Sequence, residues 1–224
     1  MAHRMEKPTS TPSVSSLVLA SGSPRRRELL ARAGIPLIVI PSAASEDVSP
    51  RLGPIEVTQA LALRKAEVVA RSQREGLVVG ADTVIVHAGQ ILTKPIDVTD
   101  AKAMLARLRG DWHQVVTGLA VVDTVSGRRE TSAVVTAVKM RNYSDKKIAQ
   151  YVASGEPLDK AGSYAIQGLG KQLVEAFDGC YNNVVGLPLC ELVEHLGRFG
   201  YPLLAAGPVC VGPDGHPCPR STKS

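Results

Sequence analysis

One carboxylate stands in the middle of an apolar run. Val78-Val79-Gly80-Ala81-Asp82-Thr83-Val84-Ile85-Val86 reads as a strand buried on both faces, and Asp82 interrupts it. Burying a carboxylate is unfavourable unless it is ion-paired, hydrogen-bonded or bound to a metal. Asp82 therefore reads as an active-site group, either a metal ligand or a general base, with a side chain bonded to backbone amides as the structural alternative. Gly80 and Ala81 leave room beside it for another backbone or a ligand. Lys65 is misplaced in a similar way. Over residues 55–74, Glu56, Arg64, Glu67, Arg71 and Arg74 share one helical face, and Lys65 falls opposite them beside Leu61, Ala62, Val68 and Val69. Such a lysine either snorkels to solvent or meets a negative partner, and it is a candidate phosphate ligand. The third break is Ser21-Gly22-Ser23-Pro24-Arg25-Arg26-Arg27. With Ser23 as N-cap, Arg25 and Arg26 take the second and third helical positions, where the helix dipole favours acids. A strand, a small-residue turn and a helix start carrying two arginines make a phosphate cradle, unless the arginines point to solvent.

The elements that must hold these groups alternate along the chain. Residues 17–20 form a short buried strand, and Ser23-Pro24 opens a helix that stops at Gly34. A second strand covers 37–40, a polar loop runs over 42–53, and Pro54 starts a long helix ending near Gly76. The strand at 77–86 turns at 87–90 into Ile91 and Leu92. Thr99 caps a helix closed by Gly110, and 115–123 pairs with 131–138 across Ser126-Gly127. Ser144 caps a helix closed by Gly155, and Pro188 starts the last one. This order predicts an α/β fold with a mixed, partly antiparallel sheet. Residues 17–204 read as one domain between flexible tails at 1–16 and 205–224, both rich in proline.

Composition narrows the chemistry. The formal charge of +5 includes one unit in each tail, so the body holds +3 and does not demand a polyanion. With aromatics at only 4%, a stacking surface for nucleic-acid strands is poorly supplied, and no nucleic-acid partner is expected. No early apolar run is long enough for a signal segment or a membrane span, which points to a cytoplasmic protein without a membrane partner. Cys180, Cys190, Cys210 and Cys218 show no CxxC pair and no metal-ligand rhythm, so they read as reduced thiols. His216-Pro217-Cys218 near Cys210 is at most a weak metal fragment. Residues 165–172 approach a P-loop but fail it at Ala165 and Gln172, and GxGxxG after a strand and HExxH are both absent.

Taken together, Ser21 to Arg26, Lys65, Gly80-Ala81-Asp82-Thr83, Lys94-Pro95, the run from Ser154 to Gly162, Ile166-Gln167-Gly168 and Val184-Val185-Gly186-Leu187-Pro188 resemble the Maf family of nucleoside triphosphate pyrophosphatases. The resemblance spans about residues 17–200. It implies a bent mixed sheet with two lobes around a cleft, similar to inosine triphosphate pyrophosphatases, and a homodimer. It also implies hydrolysis between the α and β phosphates with Mg2+ or Mn2+, Asp82 as proton acceptor, and metal ligation by Glu46 and Asp82. Ser21, Arg25, Arg26, Lys65, Thr83, Lys94 and Gln167 match substrate-binding positions. Arg26, Thr83 and Gln167 resemble the residues associated with a preference for dTTP and UTP, and an amide at Gln167 suits a pyrimidine edge. Purine or methylated-guanine nucleotides, and a division-regulating role tied to inhibition of septum formation, are the alternatives. The chain departs from the family pattern at Ser45, where an acid often precedes Glu46, at Ala165, where glycine is common, and at Cys180, where serine is frequent.

Overall fold

The computed structural model describes residues 16–203 and 209–219; the expected N-terminal tail up to residue 15 lies outside them. Seven strands among these residues form one mixed sheet. β1 (Leu17–Leu19) lies between β2 (Ile38–Val39) and β3 (Leu77–His87), parallel to both. On its other side β3 pairs antiparallel with β5 (Trp112–Asp123), which pairs with β6 (Arg129–Met140), and β7 (Val174–Asp178) closes that edge. β4 (Gln90–Leu92) folds back onto the end of β3. The mixed α/β expectation holds.

The long strands are valine-rich, which suits a pleated surface covered on both sides. Leu17, Leu19, Leu77, Val79, Ala81 and Ile85 face the larger core with α1 (Pro24–Arg32), α3 (Val98–Leu108), α4 (Asp145–Ala153) and α6 (Leu189–Arg198). Val18, Val78, Ala120 and Val122 face α2 (Pro54–Ala70) through Ala62, Ala66 and Val69. Glycine decides how closely α2 approaches. A Cβ at Gly80 would lie 2.0 Å from the Ala62 carbonyl oxygen, and one at Gly118 would lie 2.2 Å from that of Thr58. The room expected beside Asp82 is thus filled by helix backbone. Gly118 is also the register partner of Asp82, so the helix is seated directly over the carboxylate.

Several boundaries differ from expectation. α2 ends at Ala70 rather than near Gly76, because the Ser72 hydroxyl donates to the Val69 carbonyl and turns the chain away. Asp97, not Thr99, caps α3, accepting from the Asp100 amide at 2.8 Å. Ser23 has the extended backbone of an N-cap, but its side chain makes no capping bond. Ser144 caps α4 as expected. β7 and α5 (Tyr181–Val185) were not anticipated: the strand is a mostly exposed edge without alternation, and the helix is barely more than one turn.

Residues 209–219 were expected to be part of the C-terminal tail. Instead Val211 bridges Pro217, the Cys218 amide donates to the Cys210 carbonyl at 2.8 Å, and both cysteines are buried. The His216 carbonyl accepts from the Gly212 amide at 2.8 Å within this turn, but its side chain is exposed and pairs with Asp214. The absence of a ligand rhythm is also overturned in space, since the sulfurs of Cys180, Cys190, Cys210 and Cys218 lie within 4.8 Å of one another.

Candidate active site

A cleft of about 850 Å³ opens over the ends of β1 and β3, and all nine residues nominated from sequence line it. That volume suits a small organic ligand. Successive residues of β3 point to opposite faces, which sends Asp82 toward α2 and Thr83 toward α1.

On the α2 side, the Lys65 ammonium lies 2.6 Å from Asp82 Oδ1 and 2.7 Å from Glu46 Oε1. Lys65 has therefore met negative partners rather than snorkelled. The hydrogen bond from Lys65 holds the Glu46 carboxyl below its usual range against the opposing effect of burial, with Lys94 and Arg26 adding attraction. Glu46 sits in an irregular loop that needs fixing from outside. Arg64 supplies this, donating to the Ser45 and Asp47 carbonyls at 2.8 and 2.6 Å. Sequence reasoning had left Arg64 on the solvent face. Adjacent residues of one helix thus divide the task, Arg64 clamping the loop backbone and Lys65 receiving its carboxylate.

On the α1 side, Arg26 is held at three points. Its Nε donates to the Gly186 carbonyl at 2.8 Å, Nη1 to Ser21 Oγ at 3.0 Å and Nη2 to Thr83 Oγ1 at 3.2 Å. A guanidinium has five N–H groups, so about two remain for a ligand. Burial pulls the Arg26 pKa below its ordinary value, partly offset by Asp82. Ser21 Oγ also accepts from the Ser23 amide, which supplies the turn with the bond that Ser23's own side chain does not make. Arg25 reaches across to Asp159 at 3.7 Å, and Lys94 is exposed at the rim.

At the far end, Gln167 is half-buried and lines a cavity together with Tyr181, whose phenol pKa burial pushes up. The short helical turn that follows, Gly168–Leu173, is anchored by Glu156, which accepts from the amides of Leu169 and Gly170 and from the Tyr151 hydroxyl. Asp159 and Lys160 also line the cleft, 2.6 Å apart. They carried no assigned role, although their oppositely charged run between two glycines was a readable signal.

A family model described as Maf-like protein matches residues 16–199. The chain belongs to the Maf family. Its similarity to named members extends through most of both sequences. A dTTP/UTP pyrophosphatase of Gloeobacter violaceus is 51% identical over 183 residues, covering 82% of this chain and 95% of that protein. Proteins of the same name from Moorella thermoacetica and Dictyoglomus turgidum are 50% and 48% identical, each covering 84% of this chain and 96% and 98% of theirs. In this Maf protein, Ser45 shapes the acidic loop: its hydroxyl donates to Asp47 Oδ2 at 2.7 Å and accepts from the Asp47 amide. No helix among its described residues is long and apolar enough to cross a membrane.

Proposed function

We propose that this chain hydrolyses dTTP and UTP to the nucleoside monophosphate and diphosphate. The observation that carries this reading is the clustering, in one cleft, of two carboxylates sharing an ammonium with the guanidinium and lysine groups a polyphosphate needs. Glu46 and Asp82 converge on a single cationic point with oxygen donors only, a set suited to Mg2+ or Mn2+ rather than zinc. A divalent ion bound there would offset triphosphate charge and polarise the reacting phosphoryl group.

The side chains divide the remaining work. Asp82 accepts the proton of the attacking water, the role its position beside the phosphate-binding cations allows. Arg26 enters the reaction pre-oriented by Gly186, Ser21 and Thr83, so little reorganisation is needed as charge builds on the phosphates. Arg25, Lys65 and Lys94 hold the diphosphate leaving group. Gln167 offers an amide to the pyrimidine edge, which is where the names of the relatives and the chemistry of the side chain agree.

Diphosphate release from a panel of purine and pyrimidine triphosphates with Mg2+ or Mn2+ tests the reading. dTTP and UTP should be the best substrates, and Asp82→Asn should lower kcat by about a thousandfold. Unchanged turnover in that variant removes Asp82 as the base, and preference for a purine triphosphate removes the assignment of Gln167.

A further inference from the structure

We infer that Cys180, Cys190, Cys210 and Cys218 form a closed, four-thiolate site for one zinc ion, separate from the cleft. The sulfurs come from three places in the chain: the N-cap of α5, the start of α6 and the turn at 209–219. All four are buried and all lie within 4.8 Å of one another. A tetrahedron with Zn–S arms of 2.3 Å has edges of about 3.8 Å. Cys180 Sγ lies 3.6 Å from Cys210 Sγ and 3.9 Å from Cys190 Sγ. Those values are nearly twice a disulfide bond, and a disulfide would draw the sulfurs into pairs rather than a common cluster.

The surroundings suit thiolates. The Asn183 amide donates to Cys180 Sγ at 3.4 Å, and Asn182 Nδ2 donates to Cys210 Sγ at 3.3 Å. N–H groups aimed at sulfur stabilise its anionic form and orient it, as outer partners do in metal sites. Soft sulfur donors with no water-accessible position favour zinc in a structural role over Mg2+ or Mn2+. Zinc binding replaces the four thiol protons, which pass to solvent.

The site also has a route to the cleft. Thr136 Oγ1 accepts from the Cys180 amide at 3.1 Å and donates to its carbonyl at 3.2 Å, and it accepts from Asn183 Nδ2 at 2.9 Å. The Asn183 carbonyl accepts from Thr117 Oγ1 at 3.2 Å, Thr117 meets Thr83 at 2.9 Å, and Thr83 accepts from Arg26. The ion fastens residues 209–219 onto α5, and α5 leads into Gly186, the carbonyl that aims Arg26. Zinc is thus a positioning element for the cleft, with no contact to the substrate.

Elemental analysis of the full chain, purified without chelator and dialysed against Mg2+, should find about one zinc per chain. Asp82→Asn should retain that zinc, and Cys218→Ser should lose it. Replacing zinc with Co2+ should produce the absorption of tetrahedral thiolate-bound cobalt. Stripping the metal should lower Tm by about 10 °C. The inference is overturned by wild-type protein with under about a tenth of an equivalent of zinc and no thiolate–cobalt absorption after reduction. It is equally overturned if the cysteines prove to be joined as disulfides. These readouts do not depend on activity, so they stand whether or not the pyrophosphatase reading survives.

Discussion

Replacing Lys65 with methionine keeps most of the apolar stem and removes only the ammonium that Asp82 and Glu46 share. The side chains of Asp82 and Lys65 are 12% and 15% exposed, while that of Glu46 is 65% exposed. Breaking a fully buried pair costs about 3–5 kcal/mol because the surviving charge is stranded. Glu46 can turn to water, and exposed pairs contribute about 0–1 kcal/mol, so its share is small. Asp82 cannot do so on a central strand under α2, and the expected loss at pH 7 is about 2–3 kcal/mol. For a chain of this size that corresponds to a fall in Tm of roughly 8 °C. Thermal denaturation of both proteins at pH 7, with and without excess Mg2+, measures the loss. Mg2+ should recover some of the lost stability by linkage. A variant within about 0.5 kcal/mol of wild type at pH 7, insensitive to Mg2+, would refute the claim that this ammonium compensates the buried carboxylate.

His113 is buried on β5, hydrogen-bonded to the Tyr164 hydroxyl at 2.6 Å, and burial lowers its pKa from 6.5 to about 4. The unfolded chain takes up this proton first, so the contribution is complete above pH 6.5 and is lost as pH falls toward 4, by up to about 3 kcal/mol. Denaturant unfolding at several pH values should show that slope in wild type and not in His113→Gln; parallel curves would contradict it. Gly80→Ala should destabilise by about 1–3 kcal/mol and lower activity together, because its Cβ would meet the Ala62 carbonyl and push α2, with Lys65, off the sheet. Gly197→Ala, within α6 and with nothing near its Cβ position, should instead be neutral or stabilising by about 0.5 kcal/mol. Comparing their Tm values tests whether the glycine at 80 serves close packing.

Periodicity and capping made most of the elements legible, and violations of those same rules marked Asp82, Lys65 and Arg26. Each is a local conflict between a residue type and its neighbours, so a short window of sequence suffices to see it. Family motifs added Glu46, Lys94 and Gln167. The failures were of two kinds. Short elements such as β7 and α5 carry too few residues to establish a period. Distant partnerships leave no mark on either partner: Arg64 looks like any solvent-facing arginine until the loop at 45–47 is brought beneath it, and Gly186 contributes only a backbone carbonyl, 160 residues from Arg26. The cysteines make the same point most sharply. Their spacing follows no ligand motif, because the ring of sulfurs is closed by β6, α5, α6 and the 209–219 turn packing together rather than by one local loop. The sequence by itself determined which side chains are out of place and therefore where chemistry is to be sought. Only the tertiary structure decided which of them meet, since charge pairing and metal ligation act through space over a few ångströms, whatever the separation along the chain.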